Sequence, residues 1–153
     1  MLDTLGPPND GPPQVGERKP PMKILLAYDG GVPARRALDL AADLAKKYEA
    51  KLAVISVIPV HPGRVPVDPW DDASVHAAQL LEAKRLLVEL GIEPVLIEQA
   101  GEPAVTIERA AQDGGYDMVI VGSRGLGAVS RVLQGSVSEH VATHSAATVV
   151  VAR

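Results

Sequence analysis

Cysteine is absent from the 153-residue chain. That removes disulfides, zinc–thiolate centres and thiol nucleophiles from consideration. Phenylalanine is absent too, and a single tryptophan stands among 3% aromatic residues. A core must therefore be assembled from Val, Leu, Ile and Ala, a set that suits buried parallel strands covered by Ala-rich helices. No apolar run is long enough to span a bilayer. The N-terminus also lacks the basic-then-apolar layout of a signal peptide, so the expectation is a cytoplasmic protein. Positive charge is the scarcer sign: 15 Lys and Arg against 19 Asp and Glu leave a net charge of −4. Such a balance gives no general attraction to nucleic acid or to an anionic membrane, and neither is expected as a partner. What remains is a chain that is 46% hydrophobic, of a length that fits one globular domain.

Residues 1–21 are expected to be a disordered tail. They hold Pro7, Pro8, Pro12, Pro13, Pro20 and Pro21 with Gly6, Gly11 and Gly16, and too little apolar surface to offset the entropy of ordering them. Residues 22–153 are expected to form the domain. Ile24–Tyr28 is a continuous apolar run, the mark of a strand buried on both faces. Asp29-Gly30-Gly31 is a turn, and Pro33 suits the first helical position. Ala34, Ala37, Leu38, Ala41, Leu44, Ala45 and Tyr48 follow with helical spacing. Leu52–Ile58 is a second strand. The proline-rich stretch from Pro59 to Pro69 is longer than most strand-to-helix connections. Leu80, Ala83, Leu87 and Leu90 line one face of the next helix, which Gly91 ends. Pro94–Ile97 predicts a weaker strand and Pro103 to about Gln112 a helix, broken by Gly114-Gly115. Met118–Val121 predicts a strand, Gly135 to about His144 a helix, and Thr148–Ala152 a last strand.

This alternation predicts an α/β fold, a parallel sheet with helices on both faces. In such sheets ligands sit beyond the C-terminal ends of strands, where the strand order reverses. The two strands that end in the most polar, turn-like residues are the first, at Asp29-Gly30-Gly31, and the fourth, at Gly122-Ser123-Arg124-Gly125. These two are expected to be neighbours flanking a site. From Gly122 the chain passes through a glycine-rich loop to a helix start near Gly135-Ser136. Glycine lets the backbone approach a ligand closely. The free amides and dipole of the helix start favour an anion, with Arg124 and Arg131 nearby. No Walker A pattern and no G-x-G-x-x-G fingerprint occurs.

Gly122, two residues, Gly125, nine residues, then Gly135-Ser136 resembles the nucleotide loop of ATP-binding universal stress proteins. The resemblance runs from Met22-Lys23-Ile24-Leu25-Leu26-Ala27-Tyr28-Asp29-Gly30 to Thr148-Val149-Val150-Val151-Ala152. It implies an open, Rossmann-like, five-stranded parallel sheet in the order 3-2-1-4-5, of the adenine nucleotide alpha hydrolase type. It implies that Asp29 sits at the ribose and metal end of ATP with Mg2+. Val57 would meet the adenine through its backbone, and Gly122 and Gly125 would line the ribose and phosphate side. Gly135, Ser136 and Val137 would bind phosphates through amides and the serine hydroxyl. Arg124 and Arg131 are added from charge and location alone. Many members have Gly-Ser after the aspartate, where this chain has Gly30-Gly31. The resemblance also implies a homodimer paired through the edge strand Thr148–Ala152, whose open apolar edge invites a partner.

Each residue also has a plainer role. Gly122 and Gly125 serve as turn residues, and Asp29 as a turn former. Ser136-x-x-Glu139 reads as a capping box, so capping and phosphate binding compete for one hydroxyl. His140 and His144, spaced i, i+4, lack a third ligand and read as surface or interface histidines. Trp70 either shields a base or packs as a lone aromatic. The leading functional expectation is a regulatory protein that binds ATP. A slow ATPase or phosphotransferase needs a placed water and a base, and Asp29 is the only obvious acid near the loop. A nucleotide-free interaction protein and a nicotinamide oxidoreductase are the remaining readings.

Overall fold

Ile24, Leu25 and Leu26 are wholly buried. Adjacent side chains of a strand point to opposite faces, so the strand that carries them must be covered on both sides. In the structure, a computed structural model that describes residues 21–60, 73–123 and 136–153, that strand is β1 (Lys23–Ala27). It pairs in parallel with β2 (Lys51–Pro59) on one side and β4 (Met118–Gly122) on the other. β3 (Val95–Gly101) adds to β2, and β5 (Thr148–Ala152) adds to β4. The order is β3-β2-β1-β4-β5, all parallel, as the resemblance implies. The expected adjacency of the first and fourth strands holds.

The helices divide between the two faces. Ile24, Leu26 and Tyr28 pack with α1 (Val32–Tyr48) and α2 (Ala73–Glu89). Leu25 packs on the opposite side with Ala104, Ile107 and Ala111 of α3 (Pro103–Asp113) and with Val137 and Val141 of α4 (Ser136–His144). Small residues set the spacing: Ala34, Ala37, Ala41, Ala42 and Ala45 of α1 are all buried. With alanine on the helix and branched residues on the strands, a dense core needs no phenylalanine.

Most element boundaries shift by a residue or so from the sequence reading, and three of the differences have a plain cause. β3 runs on to Gly101, past Ile97, because β2 continues beside it as far as the pair Pro59↔Gly101. Its later residues Glu98, Gln99 and Ala100 are exposed, so they show no apolar pattern. Leu90 falls outside α2 and is 38% exposed, since the chain already turns there. Gly91 adopts φ 85° and its N–H donates to the Val88 carbonyl at 2.9 Å. Pro33 stands second in α1, after Val32, with Gly31 as the extended N-cap. The tail lies outside the described residues except for Pro21. So does most of the proline-rich loop, including Trp70.

The end of β4 meets the start of α1 at close range. A Cβ built on Gly122 would stand 2.9 Å from the Pro33 carbonyl carbon and 3.0 Å from the Ala34 nitrogen. Both are backbone atoms that cannot swing aside. Gly122→Ala should therefore lower stability by about 1–3 kcal/mol, the usual scale of overpacking. Urea denaturation checks this, and an unchanged midpoint would show that α1 has room to move.

Candidate functional site

α1 follows β1 onto one face of the sheet and α4 follows β4 onto the other. Diverging connections leave a crevice above the carboxyl ends of the two strands. A cleft that is open in part to solvent occupies this position. Its walls are Ile55 and Val57 of β2, Pro103 and Ile107 of α3, Val121 of β4 and Val137 of α4. Tyr28, Asp29 and Gly122 line the strand ends. Among the described residues, Asp29 and Tyr28 are the only ionisable side chains on this lining. Such a cleft suits a flat apolar group, with one carboxylate at its edge.

Asp29 is held by its own turn. The Gly31 N–H donates to Asp29 Oδ1 at 2.9 Å, and Gly30 between them adopts φ 80°. Positive φ is cheap only for glycine. The turn-forming role of Asp29 is thus observed, and it places the same carboxylate on the cleft. The structure brings Asp29, Val57, Gly122 and Val137 together there. Ser136 is the first residue of α4. Its side chain, and Arg124, Gly125, Arg131 and Gly135 altogether, lie outside the described residues.

Behind the turn, on the α2 side, lies a polar cluster that the sequence reading missed. The Tyr28 hydroxyl donates to Glu82 Oε1 at 3.1 Å, and Arg35 of α1 pairs with the same oxygen. Burial, and then the Glu82 charge, push the Tyr28 phenol up to about 12, while Arg35 opposes them. Ser56 Oγ and His76 Nδ1 lie 2.8 Å apart, and both residues are buried. A signal for His76 existed in the sequence. It stands four and seven residues before Leu80 and Ala83, in register with the buried face of α2. The histidines of α4 have a different use. His140 Nε2 lies 3.2 Å from Glu108 Oε2, across to α3. The His140 and His144 rings stack at 4.2 Å. Among the described residues no three His, Cys, Asp or Glu gather as metal ligands, and no helix is long and apolar enough to cross a membrane.

Comparison with known proteins adds a family. The profile of the Universal stress protein family matches residues 21–153. Universal stress protein YxiE of Bacillus subtilis is 30% identical over 145 residues, covering 86% of this chain and 98% of its own. A universal stress protein of Thermus aquaticus is 32% identical over 134 residues, covering 85% and 97%. Among solved structures, universal stress protein UspA from Lactobacillus plantarum superposes with a TM-score of 0.69 at 23% identity, over 89% of this chain and 100% of that one. A universal stress protein from Archaeoglobus fulgidus in complex with dAMP gives 0.66 at 22%, over 86% and 98%.

The Tyr28 phenol offers a direct check on the polar cluster. An ultraviolet titration of the protein minus that of Tyr28→Phe should show a phenolate transition near 12. The ordinary value is 10.0, so above it the unfolded chain releases a proton that the folded one keeps. Stability from this group is complete below that value and is lost as pH rises through the folded one. Glu82→Gln should move the transition down, though not fully to the ordinary value, because burial remains. A transition at 10.0 in the unmodified protein would contradict the contact.

Proposed function

Because this chain belongs to the universal stress protein family, we propose that it binds an adenine nucleotide, ATP with Mg2+, as a regulatory protein of the cytoplasm. The observation that carries this reading is the cleft itself. It is an apolar slot at the reversal of strand order, with Asp29 at its edge and the first turn of α4 in its wall. An apolar slot accepts a base, and a helix start accepts phosphate. That relatives of this fold have been solved with cAMP and with dAMP makes an adenine nucleotide the class to test first. In this reading Gly122 and Gly125 flank the ribose, and Gly135, Ser136 and Val137 hold phosphates through amides, with Arg124 beside them. Val57 borders the base. Asp29 faces the metal. One carboxylate together with phosphate oxygens and water is a donor set that suits Mg2+, which seldom takes an all-protein cage.

Binding of ATP fits the site better than its turnover. Hydrolysis needs a group that orients the attacking water. On the described lining only Asp29 is available, and its Oδ1 already accepts from Gly31. A bound nucleotide would bias one state of the protein, which partners would read.

Calorimetry with ATP tests the site. Gly135→Val should abolish binding by filling space that a phosphate needs. Ser136→Ala should weaken binding by roughly 1–2 kcal/mol, since amides and helix dipole remain. Asp29→Asn should reduce only the magnesium-dependent part of the affinity. A phosphate-release assay should show ATP held for hours. Unchanged affinity in Gly135→Val would remove the assignment. Multiple turnovers that vanish in Asp29→Asn would establish an enzyme instead.

A homodimer through β5 belongs to the same proposal. The Thr148 N–H donates to Asp117 and the Ala152 carbonyl accepts from Ser123, so the even positions of β5 bond inward to β4. Backbone groups of successive strand residues alternate in direction, which turns Val149 and Val151 outward. Val151 is 40% exposed. Val151→Pro should remove an outward donor without touching the β4 ladder. Light scattering should then give a dimer for the unmodified protein and a monomer for the variant.

A further inference from the structure

β2 outruns the central strand beside it. Its pairing with β1 ends at Ala27↔Ile55, whereas its pairing with β3 continues to Pro59↔Gly101. Among the described residues, Ser56, Val57, Ile58 and Pro59 are therefore paired along one edge alone, and with an edge strand. The Ile55 carbonyl accepts from the Tyr28 N–H at 3.0 Å, so the backbone groups of Ile55 point toward β1. Backbone groups of successive strand residues alternate in direction. Those of Val57 thus point the same way as those of Ile55, past the end of β1. Val57 also lines the cleft. Its N–H and carbonyl together offer a donor and an acceptor, which complement a base edge that carries an amino group beside a ring nitrogen.

Two strands alone are a weak unit in water, so this overhang depends on what packs against its faces. On the α3 side Val57 joins an apolar cluster with Ala104 and Ile107. Apolar contact is non-directional and leaves the overhang free to shift. On the α2 side Ser56 Oγ and His76 Nδ1 are hydrogen-bonded at 2.8 Å, with Ser56 1% and His76 4% exposed. A hydrogen bond does have a direction, and this one ties the residue next to Val57 to a helix. We propose that His76 is a positioning residue of the cleft, holding the overhanging end of β2 through Ser56 so that the Val57 N–H and carbonyl meet the base edge of the nucleotide. This rests on the reading of the cleft as a nucleotide site, and it deepens that reading. His76 acts from the far face of the sheet, through the strand.

The test compares ATP with purine riboside triphosphate, which lacks the 6-amino group and keeps the triphosphate. Calorimetry with magnesium is run on the unmodified full chain, on Ser56→Ala and on the double variant Ser56→Ala with His76→Leu. The melting temperature of each is taken without ligand. Ser56→Ala removes the hydroxyl and leaves His76 in place with its further interaction. The unmodified protein should prefer ATP to the analogue. In Ser56→Ala the affinity for ATP should fall about three- to tenfold, the scale of one net hydrogen bond. Affinity for the analogue should fall less, so that the preference shrinks. The double variant removes both polar groups and should melt above Ser56→Ala, with the same reduced preference.

An unchanged preference in Ser56→Ala, or an equal loss for both nucleotides, overturns the proposal. So does a preference that returns with the melting temperature in the double variant, which would make the pair a packing device. Failure of the unmodified protein to bind ATP would overturn the nucleotide reading and this one with it. Equal binding of ATP and the analogue by the unmodified protein would overturn this one alone.

Discussion

β1 is buried on both faces and bonded on both edges, and everything else is arranged around that condition. A strand so placed can have only apolar side chains, and Ile24, Leu25 and Leu26 meet the demand. It needs parallel partners on each side, which β2 and β4 provide. It also needs helices above and below, so the chain must leave β1 and β4 toward opposite faces. The cleft follows from that divergence. Where β1 ends, the backbone must turn sharply within a crowded space. Asp29-Gly30-Gly31 manages this with one side-chain hydrogen bond and one positive φ.

The same divergence gives the two sides of the turn different chemistry. On the α3 and α4 side the lining is apolar, with Ile107, Val121 and Val137 in the core cluster of that face. On the α2 side lie His76, Gln79 and Glu82, with Arg35 of α1 sharing Glu82. The buried members, Ser56 and His76, do not add stability by being polar. Their net value is small, and it turns negative when a partner is missing. What they supply is direction. A hydrophobic face alone lets a helix slide by part of a turn over a flat sheet. A histidine bonded to Ser56 and a glutamate bonded to Tyr28 favour one register for α2.

The fold was legible because its signals repeat. Apolar runs such as Ile24–Tyr28 and Leu52–Ile58 alternate with helical spacing, and a parallel sheet covered on both faces buries them. Half of the candidate site was legible for the same reason. Asp29 and Gly122 end the two central strands, and strand ends are where such sheets bind. The α2 cluster was not legible. The pairing of Ser56 with His76 spans 20 positions and that of Tyr28 with Glu82 spans 54. Nothing in either local pattern announces a partner. The extent of β3 was hidden differently, since an edge strand with an exposed face keeps its hydrogen bonds without an apolar pattern. Gly122 shows how a correct position carries a second cause. The family resemblance implies a place for it in a nucleotide loop, while the contact with Pro33 and Ala34 requires glycine with no ligand present.

That double demand bears on the proposal that the cleft is a binding site. A catalytic acid or base must be close to the ligand and free to change its proton and its partners. At this turn the only carboxylate on the described lining also forms the loop that puts it there. If Asp29 left its backbone partner, the Gly31 N–H would need another acceptor. Engagement of Asp29 by a ligand would therefore be tied to the shape of the loop. Coupling of that kind is what a nucleotide-read switch requires, and it works against rapid turnover, which depends on groups already fixed in place when the ligand arrives.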